Sequence, residues 1–125
     1  MSKLNITIWN RKFELEVEYD CFEDEDITEK QKAALEKVVN QSDFFEDALK
    51  HSKDYCIKQN KEDIDEEVIE NIFKYIMPRS IYVIRNKEKR SIALMCDYKF
   101  DLEHGIAIVY EDEKFVKIVE QDAVL

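Results

Sequence analysis

Apolar and polar residues alternate along residues 4–8 and again along residues 13–19. Alternation with a period of two is typical of a β-strand that buries one face. In the second run every intervening position is a glutamate: Glu14, Glu16 and Glu18. The pattern predicts two antiparallel strands with an acidic outer face, joined by a hairpin turn at residues 10–12.

The next segment changes to the three-and-four spacing of an amphipathic helix. Thr28 and Gln31 match the capping-box pattern, in which two side chains bind each other's backbone N–H groups at the start of a helix. This pattern predicts a first helix that begins after Thr28 and buries Leu35, Val38 and Val39.

Two more helices are predicted before Pro78. The second begins near Ser42 or Asp43, has its last apolar position at Cys56 and ends in the polar stretch of residues 59–63. The third covers residues 65–77 and is expected to end there, because proline disfavours a helical conformation in the residue before it. Its apolar stripe consists of Val68, Ile69, Ile72, Phe73 and Ile76.

After Pro78 the period returns to two. Four strands are predicted, at residues 81–84, 92–98, 106–110 and 115–119. Connections as short as those between them fit antiparallel neighbours. The complete order, ββ-ααα-ββββ, predicts a single α+β domain over residues 1–125, with an antiparallel sheet and helices packed on one of its faces.

Composition supports a folded chain and removes several ligand-binding classes. Hydrophobic residues make up 45% of the 125 residues, which is enough to fill a core. Gly105 is the only glycine, so the chain has neither the glycine-rich dinucleotide loop nor the phosphate-binding loop. Residues 63–74 carry Val68 where an EF-hand calcium loop needs its glycine. No cofactor is expected.

The three cysteines, Cys21, Cys56 and Cys96, are widely spaced and odd in number. No basic segment followed by an apolar one opens the chain, so no signal peptide is expected. Together these features predict free thiols and a cytoplasmic protein. The longest apolar runs, residues 92–96 and 106–110, are too short to cross a membrane.

The chain has 29 acidic and 19 basic residues, which gives a net charge of −10. Such a charge increases solubility, opposes binding to nucleic acid and anionic membranes, and suits a basic protein partner. Two acidic patches are candidate partner-binding surfaces: Glu23, Asp24, Glu25 and Asp26 in the first loop, and Glu62, Asp63, Asp65, Glu66 and Glu67 before the third helix. Phe22 is a candidate anchor of the interface and equally a candidate core residue.

Basic residues concentrate in the predicted hairpin at residues 79–90, which has five bases and one acid. Three interpretations remain open at this point: a solvated hairpin tip, an electrostatic contact within the molecule, or a contact with a partner.

One dense polar cluster lies between two predicted strands: Asp101, Glu103, His104 and Gly105. A hairpin turn accounts for it, because glycine adopts positive φ and aspartate accepts bonds from nearby backbone N–H groups. A catalytic alternative uses His104 as a general base, oriented by Asp101 or Glu103, but no nucleophile is evident. A metal site would need Asp97 as well, and residues one and two positions apart rarely converge on one ion; no metal is predicted.

The run over residues 96–108, C-D-Y-x-F-D-x-E-H-G-I-A-I, resembles a family of small bacterial proteins of unknown function that carry a D-x-E-H-G-[IL]-x-[IV] signature. Residues 78–83, 115–118 and 121–122 are also similar to that family, so the resemblance covers about residues 65–125. It implies no activity. In size and acidity, these proteins resemble the immunity proteins that neutralise bacterial toxins.

The leading hypothesis is therefore a non-catalytic, cytoplasmic immunity protein that inhibits a basic toxin domain by masking its active site. The alternatives are a small hydrolase centred on His104, dependent on the neighbouring carboxylates or on a metal ion, and a housekeeping interaction module. The sequence leaves a monomer and a dimer equally open.

Overall fold

A computed structural model describes residues 2–22 and 24–125. Its strands and helices are β1 (Ser2–Ile8), β2 (Arg11–Tyr19), α1 (Glu29–Asn40), α2 (Ala48–Asn60), β3 (Ile76–Ile84), β4 (Ser91–Tyr98), β5 (Ile106–Glu111) and β6 (Lys114–Glu120). Short 3₁₀ turns occupy Lys61–Asp63, Ile72–Lys74 and Gln121–Ala123. Each of the six runs with a period of two forms a strand, as the alternation predicted.

The strands form one sheet in chain order, from β1 to β6. The prediction of a fully antiparallel sheet is wrong, because β2 and β3 are parallel, with Glu16 opposite Ser80 and Tyr19 opposite Val83. The cause is the connection between them. The segment that contains α1 and α2 returns the chain to the end of the sheet where β2 began, so β3 runs in the same direction as β2.

The predicted third helix over residues 65–77 is also wrong, and the described part of the chain has two α-helices. Residues 64–71 are irregular, and the Asn71 carboxamide accepts the N–H of Phe73 to start the 3₁₀ turn. Valine, isoleucine and phenylalanine are poor helix formers, and asparagine competes for nearby backbone groups. Ile69 and Ile72 are nevertheless buried, so their apolar spacing reflects anchoring in the core.

Pro78 lies inside β3 and does not terminate a helix, which corrects a second part of that prediction. β3 pairs with β2 only from Ser80 onwards, and its register with β4 shifts between Pro78 and Ser80. Proline donates no backbone hydrogen bond, and such a half-paired, irregular position tolerates it.

The capping box at the start of α1 is confirmed. The Thr28 hydroxyl accepts the N–H of Gln31 at 3.1 Å, and the Gln31 carboxamide accepts the N–H of Thr28 at 2.9 Å. Val38 is buried as expected, whereas Val39 is 54% exposed. The second helix begins at Ala48, later than predicted, because turns occupy residues 42–47.

The main core lies between the helices and one face of the sheet. In β4, Ile92, Leu94 and Cys96 belong to the cluster that contains the buried helix residues. The alternate residues Ala93 and Met95 belong to a smaller apolar cluster with residues of β3 and β5. No helix in the described ranges is long and apolar enough to cross a membrane.

Candidate functional site

Several polar segments meet at one end of the sheet. β3 begins there, opposite the end of β4, with Ile76 paired to Tyr98. The start of β5 and the end of β6 lie at the same end, because Ile106 pairs with both Cys96 and Glu120. We call this region the acidic end. Its carboxylates are Glu62, Asp63, Asp65, Glu66, Glu67, Asp97, Asp101, Glu103 and Glu120, and the bases Lys61, Lys74 and Lys99 lie among them.

The turn between β4 and β5 is organised around Asp101. Its carboxylate accepts the backbone N–H of His104 at 3.2 Å and lies 2.9 Å from the imidazole Nδ1. Its carbonyl oxygen accepts the N–H of Gly105 at 2.9 Å. The hydrogen bond and charge of Asp101 raise the pKa of His104, with Glu120 and Glu103 adding to the effect. The same pair lowers the pKa of Asp101.

Gly105 has the positive φ that its isolation in the sequence suggested, at 62°. A β-carbon there would lie 2.5 Å from Gln121 Nε2 and 2.7 Å from the carbonyl oxygen of Cys96. Gln121 donates a hydrogen bond to that same carbonyl at 3.0 Å. The turn therefore needs glycine for its positive φ, and the C-terminal segment needs it because no β-carbon would fit beside Gln121.

A cavity of about 220 Å³ opens beside this turn. It is lined by Tyr55, Gln59 and Asn60 of α2, Tyr98 of β4, Phe100, Asp101 and Gly105 of the turn, Ile106 of β5 and Glu120 of β6. The Tyr98 hydroxyl donates to the carboxamide oxygen of Asn60 and thereby joins the end of α2 to the sheet.

The two tyrosines of the cavity are weak nucleophiles. Burial, followed by the charges of Glu120, Cys56 and Asp101, raises the pKa of Tyr55. Burial also raises the pKa of Tyr98. Both phenols therefore stay protonated at neutral pH, and the raised pKa of His104 favours its protonated form, which is a poor general base.

The second acidic patch belongs to the acidic end, and two of its five members are engaged within the chain. Glu66 accepts the Tyr75 hydroxyl and the N–H of Glu70, which lowers the pKa of Glu66. Asp63 accepts the Asn60 carboxamide at 3.2 Å. The other three members are exposed and form no ion pair within residues 2–22 and 24–125: Glu62, Asp65 and Glu67. Val68, next to them, is 73% exposed.

The first acidic loop lies at the opposite end of the sheet, beyond the ends of β2 and β3. Phe22 is 77% exposed, so its interpretation as a core residue is wrong. Glu25 pairs with Arg85 at 3.4 Å, while Asp24 and Asp26 are exposed. Glu23 lies outside the described residues. This loop is thus partly neutralised by the chain itself.

Four of the five basic residues at residues 79–90 make ion pairs within the molecule. Arg90 contacts Glu113 at 2.7 Å, and Arg79 contacts Asp97 at 2.6 Å. Arg85 pairs with Glu25, and Lys89 pairs with Glu111 at 3.5 Å. Of the three interpretations of this hairpin, these pairs support the contact within the molecule.

Residues 2–22 and 24–125 contain no group of three or more histidine, cysteine, aspartate or glutamate side chains arranged to hold an ion. The other histidine, His51, stacks on Phe115 at 3.9 Å between ring centroids. The three thiols are free, and burial raises the pKa of Cys56 to about 11.

Sequence reasoning located the turn but missed the residues that complete the cavity. Tyr55 and Glu120 come from α2 and β6, far from the turn along the chain. Each belongs to an ordinary amphipathic pattern, and only the fold brings them to Asp101. Gln121, which braces Gly105, entered the sequence analysis only through the family resemblance, without a structural role.

Comparison with known proteins identifies the family of this chain but assigns it no activity. No curated protein and no solved structure matches the chain. The profile of one family, described as "Domain of unknown function (DUF6985)", matches residues 2–125. This agrees with the expectation of a family of unknown function and extends it over almost the whole chain, without bearing on the D-x-E-H-G motif or on immunity proteins. The chain belongs to the DUF6985 family.

Proposed function

We propose that this protein is a non-catalytic immunity protein that binds a basic toxin domain through the acidic end and masks its active site. One observation carries the proposal: Glu62, Asp65 and Glu67 are exposed, close in sequence and without a cationic partner in the described ranges. Glu120, which lines the cavity, is a further exposed carboxylate at this end of the sheet. A basic surface would supply the missing counter-charges.

The net charge of −10 supports the same conclusion. Complementary charge accelerates encounter and selects the partner, whereas affinity comes from a few buried anchors. Val68 is an exposed apolar side chain directly beside Glu67 and is the anchor that this interface offers.

The first acidic loop is the second candidate contact, with Phe22 as its anchor. The nine residues of β3 separate it from the acidic end by about 26 Å. Its charge is also reduced by the pair between Glu25 and Arg85. We therefore assign the main interface to the acidic end.

The thiols support a proposal for the compartment. Cys21, Cys56 and Cys96 are all free, which supports the proposal that the protein works in the reducing cytoplasm.

The Asp101–His104 pair favours one other candidate, a small hydrolase centred on His104. It has two weaknesses. The raised pKa of His104 opposes its use as a base, and the hydroxyls of the cavity, those of Tyr55 and Tyr98, are poor nucleophiles. Hydrolysis of a substrate that is lost in His104→Gln would favour this candidate instead.

Growth rescue tests the proposal. The protein encoded beside this chain in its genome is expressed alone and together with the chain, and we expect growth inhibition that the chain relieves. The triple variant Glu62→Lys, Asp65→Lys and Glu67→Lys should lose protection. The matched control Glu36→Lys, Asp43→Lys and Glu46→Lys changes the charge equally and should protect.

Two outcomes would reject the immunity proposal: a neighbouring protein that does not inhibit growth, and no protection by the wild-type chain. A housekeeping interaction module predicts one of these two. Equal protection by the two triple variants would reject the acidic end as the interface.

A further inference from the structure

The cavity at the acidic end combines carboxylates with aromatic rings. Asp101 and Glu120 enter it from different elements, and the Tyr55 and Tyr98 rings meet edge to face with their centroids 5.5 Å apart. Phe100 packs edge to face on Tyr98 at 5.6 Å. Carboxylate oxygens beside ring faces form the environment that binds organic cations.

The charge of the cavity is only partly balanced. His104 lies against Asp101, whereas Glu120 is exposed and forms no ion pair in the described ranges. The raised pKa of the Tyr55 phenol comes first from burial, and the charges of Glu120 and, more weakly, Asp101 add to it from across the cavity. An entering cation would neutralise the unpaired negative charge of Glu120.

The chain already places one ammonium group against these rings. Lys99 Nζ lies 5.7 Å from the centroid of Phe100 and 5.6 Å from that of Tyr75. Lys99 itself does not line the cavity. The volume of about 220 Å³ is suited to a single side chain, and the polar lining excludes a purely apolar one.

We propose that this cavity receives an arginine side chain of the partner, with its guanidinium between Glu120 and Asp101 and its stem along the partly exposed ring of Tyr55. Arginine fits better than lysine because its planar group stacks on aromatic rings and binds carboxylates through two N–H groups. The inference rests on the proposed function, since it names a contact by which a basic partner is held.

The test uses a small probe and needs no partner protein. The ¹⁵N-labelled chain is titrated with N-acetylarginine amide, and the amide signals of Gly105 and Ile106 are followed by NMR. N-acetylcitrulline amide, which has the same shape without the charge, is the ligand control. We expect the arginine probe to shift these signals with millimolar affinity and the citrulline probe to leave them unchanged.

Two variants locate the site. Glu120→Gln keeps the size of an exposed side chain and should weaken binding about threefold to fivefold, as expected for the loss of one exposed ion pair. Glu36→Gln removes an exposed charge from α1, which contributes nothing to the cavity, and should bind as the wild type does. Unchanged amide spectra of the free variants establish that both are folded.

The inference is overturned if the arginine probe causes no shifts, if citrulline binds equally well, or if the two variants bind alike. These results are independent of growth rescue. Rescue without probe binding would remove only the arginine site, whereas probe binding without rescue would reject the toxin-inhibiting function and leave the cavity as a cation site.

Discussion

Gly105 and Asp101 determine the shape of the turn at the acidic end. Asp101 binds the backbone of His104 and Gly105, and Gly105 adopts a φ of 62° that side chains disfavour. Gln121 then occupies the space that a β-carbon would need. The turn and the C-terminal segment therefore depend on the same residue.

Gly105→Ala should destabilise the protein by more than about 1 kcal/mol, because the new β-carbon meets both positive φ and the rigid carbonyl of Cys96. The free energy of unfolding, measured in urea, tests this. Leu102→Ala, in the same turn and 71% exposed, is the control and should change stability little. Equal effects of the two substitutions would contradict this account of the turn.

The Asp101–His104 pair should make stability depend on pH. The pKa of His104 in the folded state is raised above its ordinary value of 6.5. Protonated His104 therefore stabilises the fold fully below pH 6.5, and this stabilisation is lost as the pH rises through the folded-state pKa. The loss of stability in His104→Gln should therefore be larger at about pH 6 than at about pH 9. In an Asp101→Asn background, the difference between the two pH values should nearly vanish. If it persists, Asp101 is not the cause of the pH dependence.

At the scale of elements, Gln31 joins the first helix to the parallel strands. Besides its capping contact, its carboxamide nitrogen donates to the carbonyl oxygens of Asp20 at 3.0 Å and Val83 at 3.2 Å. These residues lie where β2 and β3 end. One buried side chain thus connects α1 to the only parallel strand pair in the described sheet.

Gln31→Ala should cost about 1–3 kcal/mol, because it removes the side-chain donor to the Asp20 carbonyl, one of the two donors to the Val83 carbonyl and half of the capping box. Urea unfolding again measures the change. Gln41→Ala, at an exposed position just after α1, should cost far less. A small effect of Gln31→Ala would mean that water replaces these bonds.

The strands and the start of α1 could be predicted from the sequence, because alternation and capping are local signals. The parallel pairing of β2 with β3 could not, since the long connection between them permits either direction. The stripe of residues 68–76 has helical spacing, yet its branched and aromatic residues anchor an irregular segment. The turn at Gly105 was predictable, whereas Tyr55 and Glu120 reach it only through tertiary packing.

Across the whole molecule, the described ion pairs lie mainly at the end of the sheet with the first loop and the β3–β4 hairpin. Arg85, Lys89 and Arg90 each contact an acidic side chain there. The acidic end keeps Glu62, Asp65 and Glu67 exposed and unpaired within residues 2–22 and 24–125. This asymmetry underlies the proposal of a basic partner.

The rate of association with the purified protein encoded beside this chain tests that proposal most directly. Stopped-flow measurements should show a steep fall in rate between low and physiological ionic strength, where screening acts over about 8–10 Å. The triple variant Glu62→Lys, Asp65→Lys and Glu67→Lys should associate slowly, with little dependence on salt, whereas Glu36→Lys, Asp43→Lys and Glu46→Lys should resemble the wild type. The absence of a complex, or the same rates for both variants, would contradict the account.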